Sequence, residues 1–291
     1  MQEGNTEIRH LGTVLTAMLA VLVLEVVGGI VSGSLALYAD AAHMATDAAS
    51  AALALWAAWL AQRPADRRHT FGYGRSKVLA ALANGSALFA IVALVWIEGI
   101  KHLQTPRPVD EKTMLVVATV ALATNLVLSW YLFHSHHRRS LNVRAVIAHA
   151  MGDAVASFGV IVAAIIIAVT GWLRADALVS LMIGVLVAYS AWTVVRDSVT
   201  VLMEGVPREF DLDELRRTLD SLPYVSDVHD LHVWSVGEQA LAASFHVRVP
   251  ESALATSPET VSRLKELLHT RFRVEHATIE VESETCGEGC D

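Results

Sequence analysis

The stretch RAVIAHAMGDAVASFGVIVAAIIIAVT, residues 144–170, limits what this chain can become more than any other. It is long enough to cross a bilayer, for which about 20 apolar residues suffice, yet it carries His149 and Asp153. Ionisable groups inside a membrane helix are costly and mark a site or a pathway. A spacing of four puts the two side chains on one helical face, about one turn apart. An earlier stretch, YADAAHMATDAAS, repeats the pattern with His43 and Asp47. One such pair is accounted for by hydrogen bonds between packed helices. Two pairs at the same spacing on different spans point to a shared site, because two imidazoles and two carboxylates offer four ligands to one ion. Four N/O ligands in tetrahedral array suit zinc. Imidazole donors favour zinc, cobalt or cadmium over magnesium or calcium, which prefer oxygen shells, with iron and manganese less favoured.

The 291 residues are 54% hydrophobic, and the apolar runs concentrate before about Met203. That asymmetry predicts a membrane domain, residues 1–206, followed by a small soluble domain, 207–291. Six apolar stretches are expected to span, at about 11–32, 35–61, 78–103, 113–133, 143–170 and 177–195. Ser32, Gly33 and Ser34 leave only a tight hairpin between the first two. The first run is too long for the core of a signal peptide and is expected to stay as a helix. The second link carries Arg63, Arg67, Arg68, Arg75 and Lys77, and the fourth Arg138, Arg139 and Arg144. The opposite side holds Lys101, Arg107, Lys112 and Arg174. The positive-inside rule therefore places the second and fourth links, and both termini, in the cytoplasm. The expected location is the cell inner (cytoplasmic) membrane, multi-pass and in contact with lipid. A net charge of −8 and the lack of a basic surface argue against nucleic acid as a partner.

After Pro207 the pattern changes. Leu212, Leu215, Leu219 and Leu222 have helical spacing. VSDVHDLHVWSV and ALAASFHVRVP alternate as strands on either side of Gly237–Glu238. Thr256, Ser257 and Pro258 open a second helix with apolar Val261, Leu264, Leu267 and Leu268, and ATIEVES closes as a third strand. The order α-β-β-α-β predicts a small α+β sheet with helices on one face. Along a regular strand His229 and His232 point to opposite faces and cannot serve one site. His232 and Trp234 can simply pack the sheet. Cys286 and Cys290 lie in a tail expected in reducing cytoplasm, where a disulfide is rare; the pair suits a soft metal or is incidental.

The paired H-x-x-x-D helices, the FGYGR segment after the second span and the HDLHVWS stretch resemble the cation diffusion facilitator family, in its bacterial zinc-exporting branch, over essentially the whole chain. The resemblance implies a homodimer that exports divalent transition metals against protons, with a metallochaperone-like cytoplasmic domain that dimerises and senses metal. It carries the transport ligands onto His43, Asp47, His149 and Asp153. It places a cytoplasmic metal site at His229, His246 and the acids Glu280 and Glu282, where some relatives have imidazole and aspartate. Some relatives hold another ion in the second link; here Asp66 and His69 match, but Tyr73 stands where a second histidine would fall. Relatives also use a basic residue after the second span and an acid after the sixth as an ion-pair pivot at the dimer interface, which falls on Arg75 and Glu204, residues that are otherwise ordinary surface charge. The histidines at 134, 136 and 137 collect metal or form an interfacial belt. Glu25, Asp40 and Asn84 line the path or serve packing.

The expected function is therefore export of a divalent metal cation, zinc, out of the cytoplasm in exchange for protons, with no enzymatic step. Zn(2+) is both the bound and the transported ion, with Cd(2+) or Co(2+) as alternatives. Efflux of cadmium, cobalt, nickel, iron or manganese by the same mechanism is the alternative reading. An intramembrane metalloenzyme fits less well, since four ligands close the shell and no H-E-x-x-H motif occurs. Imidazole exchanges a metal for a proton within the physiological range, which links binding to release.

Overall fold

The computed structural model describes residues 2–134, 141–237, 240–252 and 257–283, and the side chains of 2–15, 141–146 and 148 fall outside it. Six long helices come first: α1 (Gln2–Ser32), α2 (Leu35–Ala61), α3 (Arg75–Gln104), α4 (Glu111–Phe133), α5 (Leu141–Thr170) and α6 (Arg174–Leu202). Several run past their apolar stretches, α6 by seven residues beyond position 195, because backbone hydrogen bonding continues where hydrophobicity stops. Among the described residues, five of the helices are long and apolar enough to cross a membrane, and α1 contributes a shorter apolar part, Thr16–Ser32.

The helix ends follow local chemistry. Gly33, at φ +70°, closes α1 by donating its N–H to the Gly29 carbonyl and turns the chain into α2 within two residues. Asp110 caps α4 by accepting from the amides of Lys112 and Thr113, while its own N–H donates to the Ser32 carbonyl. Gly171, at φ +69°, ends α5 in the same way as Gly33 ends α1.

Burial among these helices is the reverse of a soluble protein's. Leu55, Trp56, Trp59, Trp130, Met182, Tyr189 and Trp192 are exposed, whereas Glu25, Asp40, Asn125, Asp153, Ser157 and Ser180 are buried. An apolar exterior of this extent is the pattern of helices long and apolar enough to cross a membrane.

By packing, the chain divides into residues 1–51 with 84–192, and 52–83 with 193–291. In the first unit α5 packs on α4 and α4 on α1, around Leu37, Leu88, Met114, Val160 and Ile183. The second unit includes α7 (Leu212–Asp220), β1 (Asp227–Ser235), β2 (Leu241–Val249), α8 (Ser257–Phe272) and β3 (Val274–Ser283). This is the expected α-β-β-α-β order. The sheet runs β1-β2-β3, with β1 antiparallel and β3 parallel to β2. Leu215 and Leu219 from α7 and Leu264 and Leu268 from α8 bury against Val228, Phe245 and Val247. Burying a side chain such as Phe245 contributes about 1.5–3 kcal/mol. On α8 the buried residues are Thr260, Leu264 and Leu268, while Val261 and Leu267 are half-buried.

One expectation about the sheet is overturned. His229 pairs with His246 and His232 with Ser244, so three residues of β1 span the interval that two residues of β2 cover. The extra residue is a β-bulge, with Asp230 at φ +51°. His246 and Ser244 share a face, so His229 and His232 do too. The bulge resets the alternation that placed them on opposite faces. His232 is mostly exposed and does not pack the core.

Candidate metal centres

α2 carries His43 and Asp47, and α5 carries His149 and Asp153. The structure brings all four side chains together. His43 Nε2 stands 3.5 Å from Asp47 Oδ2 and 4.0 Å from Asp153 Oδ1. His149 Nε2 stands 3.5 Å from Asp47 Oδ2 and 3.6 Å from Asp153 Oδ2. The imidazoles and carboxylates thus alternate around a four-sided ring. In a tetrahedral zinc shell with bonds of about 2.0–2.1 Å, ligand atoms lie about 3.3–3.4 Å apart. The observed edges are near that value and too long for hydrogen bonds, which close to about 2.7–3.2 Å.

That spacing speaks against helix-to-helix hydrogen bonding as the purpose of these residues. His43 Nδ1, Asp47 Oδ2 and Asp153 Oδ2 are buried with no hydrogen-bond partner, a costly arrangement unless another group meets them. Nearby polar residues satisfy themselves elsewhere. Thr46 donates to the Ala42 carbonyl, and the Ser50 hydroxyl lies within hydrogen-bond reach of both the Thr46 carbonyl and Asn84. Asp153 is the deepest of the four, with 2% of its side chain exposed against 20–32% for the others. The ring therefore has a sealed end and an accessible one.

A second cluster lies on the sheet face opposite α7 and α8. The antiparallel register sets His229 against His246, with ring centroids 5.3 Å apart. The parallel register brings β3 alongside, with Glu280 next to His246 and Glu282 next to Arg248. Glu282 joins the two imidazoles: its Oε1 lies 2.8 Å from His246 Nδ1 and its Oε2 3.4 Å from His229 Nε2. Ligand atoms of His229, His246 and Glu282 lie within 4.8 Å of one another. The His246 hydrogen bond, helped by the charges of His229, His246 and Arg248, holds the Glu282 carboxyl below the usual glutamate range. Glu280 is 67% exposed and stands 3.6 Å from His246 Nε2. Sequence reasoning missed Asp227, 3.2 Å from His229 Nδ1, and Asp230, 3.8 Å from His246 Nε2. The Asp230 approach depends on the bulge.

The remaining candidates separate clearly. Asp66 and His69 are adjacent, at 3.3 Å, but the carboxylate is already engaged. Its Oδ1 accepts from the amides of Arg68 and His69, and its Oδ2 from the Tyr73 hydroxyl at 2.7 Å. Tyr73 thus takes up one acceptor position of the carboxylate instead of supplying a second imidazole. Arg75 Nη2 pairs with Glu204 Oε1 at 3.1 Å. His134 lies against Trp130 and Phe133 at the end of α4, which is belt-like packing. Positions 136, 137, 238, 256, 286 and 290 lie outside the described residues.

The family model of the cation efflux transmembrane domain matches residues 13–203, and that of the cation efflux protein cytoplasmic domain matches 207–284. The zinc transporter ZitB of Escherichia coli (strain K12) is 42% identical over 268 residues, covering 91% of this chain and 84% of the relative. The metal cation efflux system protein CzcD of Cupriavidus metallidurans is 38% identical over 265 residues, covering 91% and 83%. The cadmium, cobalt and zinc/H(+)-K(+) antiporter of Bacillus subtilis is 35% identical over 264 residues, covering 90% and 85%. With the two family models matching residues 13–203 and 207–284, and relatives aligned over 90–91% of its length, this chain belongs to the cation efflux, or cation diffusion facilitator, family of multi-pass membrane transporters.

Proposed function

We propose that the chain exports zinc from the cytoplasm in exchange for protons, with His43, Asp47, His149 and Asp153 as the four ligands of the ion in transit. The observation that carries this reading is the alternating ring of imidazole and carboxylate between α2 and α5, with edges of 3.5–4.0 Å. Two carboxylates neutralise a dication, and two imidazoles give the borderline-soft donors that distinguish zinc, cobalt and cadmium from magnesium and calcium. Neutralisation matters because an unpaired charge in low dielectric is prohibitive. Binding from the cytoplasm requires deprotonated histidines, and an outer compartment richer in protons returns protons to them and weakens the shell. The ion then leaves without any separate energy source. Names among the relatives, including zinc transporter and a proton-coupled antiporter of cadmium, cobalt and zinc, support the same cargo and coupling.

In this reading both termini face the cytoplasm of an inner-membrane protein, and two chains associate through residues after 207. His229, His246 and Glu282 form the metal-sensing site, Glu280 is peripheral to it, and Arg75–Glu204 is the pivot pair. The Asp66–His69 loop does not hold an ion.

The test is flux of zinc, cadmium and cobalt into everted vesicles, with and without a pH gradient. Zinc uptake should be uphill only with the gradient, and Asp153→Ala should abolish it while the protein still inserts. Unchanged uphill zinc flux after an ionophore collapses the gradient would end the antiport reading. Normal flux through Asp153→Ala would remove that residue from the ion's shell.

A further inference from the structure

The segment that follows α2 is strongly basic. Residues 62–77 carry Arg63, Arg67, Arg68, Arg75 and Lys77 against a single acid, Asp66. Arg75 is answered by Glu204. Asp66 does not answer the other arginines. Its Oδ1 accepts from the amides of Arg68 and His69, and its Oδ2 from the Tyr73 hydroxyl. Arg63, Arg67 and Arg68 are exposed, and none of the three forms an ion pair among the described residues. The Arg63 guanidinium lies over the Trp59 ring, 4.7 Å from its centroid. A ring face attracts the cation without cancelling its charge or taking its N–H donors in conventional hydrogen bonds.

Trp56 and Trp59 lie in the last two turns of α2, a helix long and apolar enough to cross a membrane, and each is 56% exposed. Exposed tryptophans at the end of such a helix mark the level of the lipid headgroups. Basic residues just beyond that level attract anionic lipid, and the guanidinium fork fits phosphate oxygens. The topology rule accounts for arginines on this side of the membrane. It does not require the one acid among them to be engaged by its own loop.

We infer that Trp56, Trp59, Arg63, Arg67 and Arg68 form a binding site for the headgroup of an anionic phospholipid, in the leaflet that this loop faces. The tryptophans rest at the boundary between headgroups and acyl chains, and the arginines hold the phosphate. A zwitterionic lipid brings its own ammonium, which offsets the attraction, so the site selects for net negative charge. None of the five residues belongs to the four-ligand ring or to the sheet cluster, and the inference does not depend on the cargo.

The experiment reconstitutes the full chain in phosphatidylcholine bilayers that carry a small fraction of spin-labelled lipid. Electron spin resonance gives the association of labelled phosphatidylglycerol relative to labelled phosphatidylcholine. The wild type should favour phosphatidylglycerol severalfold at low salt, and the preference should shrink as salt rises. Replacing all three arginines with glutamine (Arg63→Gln, Arg67→Gln, Arg68→Gln) should remove most of the preference. Replacing all three with lysine should keep most of it. Zinc binding, measured by calorimetry, should be the same in all three proteins. A wild type without preference overturns the inference. So does a glutamine variant that keeps the full preference, because charge elsewhere on the protein then selects the lipid. Equal loss in the lysine variant also overturns it, since loop structure and not charge would be responsible. Should the variants not reconstitute, photoactivatable phosphatidylglycerol decides on the wild type. Its label must map by mass spectrometry to the peptide spanning Trp56 to Arg68, and labelling only elsewhere sinks the site.

Discussion

At the scale of single residues, donor type and hydrogen-bond saturation decide what each side chain can do. His43 keeps Nδ1 free of protein partners and turns Nε2 toward both carboxylates. Replacing it with aspartate keeps four donors and the one-turn spacing from Asp47, but adds negative charge and a ligand able to bind through two oxygens. We expect His43→Asp to raise the cadmium-to-zinc flux ratio severalfold in vesicle competition assays, because a looser shell suits the larger ion. An unchanged ratio with intact flux would assign selectivity to helix packing. Asp66 shows the opposite case, a carboxylate that accepts hydrogen bonds at both oxygens. The Tyr73 hydroxyl foremost, then the amides of His69 and Arg68, hold it well below the ordinary carboxylate range. A depressed carboxylate contributes to loop order above its unfolded value and loses that contribution as pH falls through its folded one. Tyr73→Phe should therefore move the Asp66 titration up toward about 3.9, so the loop loosens at higher pH than in the wild type. Carboxyl carbon shifts measured by NMR across acidic pH check this.

At the scale of elements, the helix carrying half the metal centre is held at its start by an acid from a distant segment. Asp176, in the first turn of α6, accepts from the Ser34 hydroxyl at 2.6 Å and from the Leu35 and Ala36 amides at 2.7 and 3.2 Å. It is 1% exposed and occupies the positive end of α2. Nothing near position 34 in the sequence announces that an acid from α6 will meet this helix start. Asp176→Ala leaves a buried hydroxyl and two buried amides unmet, at a cost of roughly 3–5 kcal/mol. The variant should lose zinc binding at markedly lower temperature in detergent than the wild type, while Asp176→Asn, which keeps an acceptor, should fall between the two. An Ala variant as heat-resistant as the wild type would show that α2 is held by other contacts. The bulge in β1 is the second such feature. One extra residue at Asp230 carries its carboxylate to within 2.7 Å of His232 and 3.8 Å of His246, which a regular strand could not do.

At the scale of the whole molecule, the proposed transport ligands all precede residue 207, and the sheet cluster follows it. Truncation near Pro207 should therefore leave zinc binding by the membrane portion within a few fold of normal while impairing dimerisation and transport. Calorimetry on the truncated protein in nanodiscs, together with its mass in detergent, separates these outcomes. Loss of the membrane site on truncation would mean that the C-terminal residues help to form it. The two clusters also differ in kind. The membrane ring has no hydrogen bonds between its members, whereas the sheet cluster is partly satisfied by the His246–Glu282 bond.

What the sequence determined by itself was periodic or compositional. Apolar runs longer than a bilayer specified six helices, and alternation specified three strands. The repeated spacing of four put a histidine and an aspartate on one face of α2 and again on α5. These are local properties, set by the 1.5 Å rise of a helix and the two-residue repeat of a strand, so no knowledge of neighbours was needed. Tertiary structure alone decided what depends on which faces meet. It closed the four ligands into a ring and placed Asp176 on a helix start 140 residues away. It also undid one inference, since an extra residue in β1 has no signature in alternation until the partner strand fixes the register. Pairing between distant segments is settled by packing and by the need to satisfy buried polar groups, and neither is written in the spacing of residues along one element.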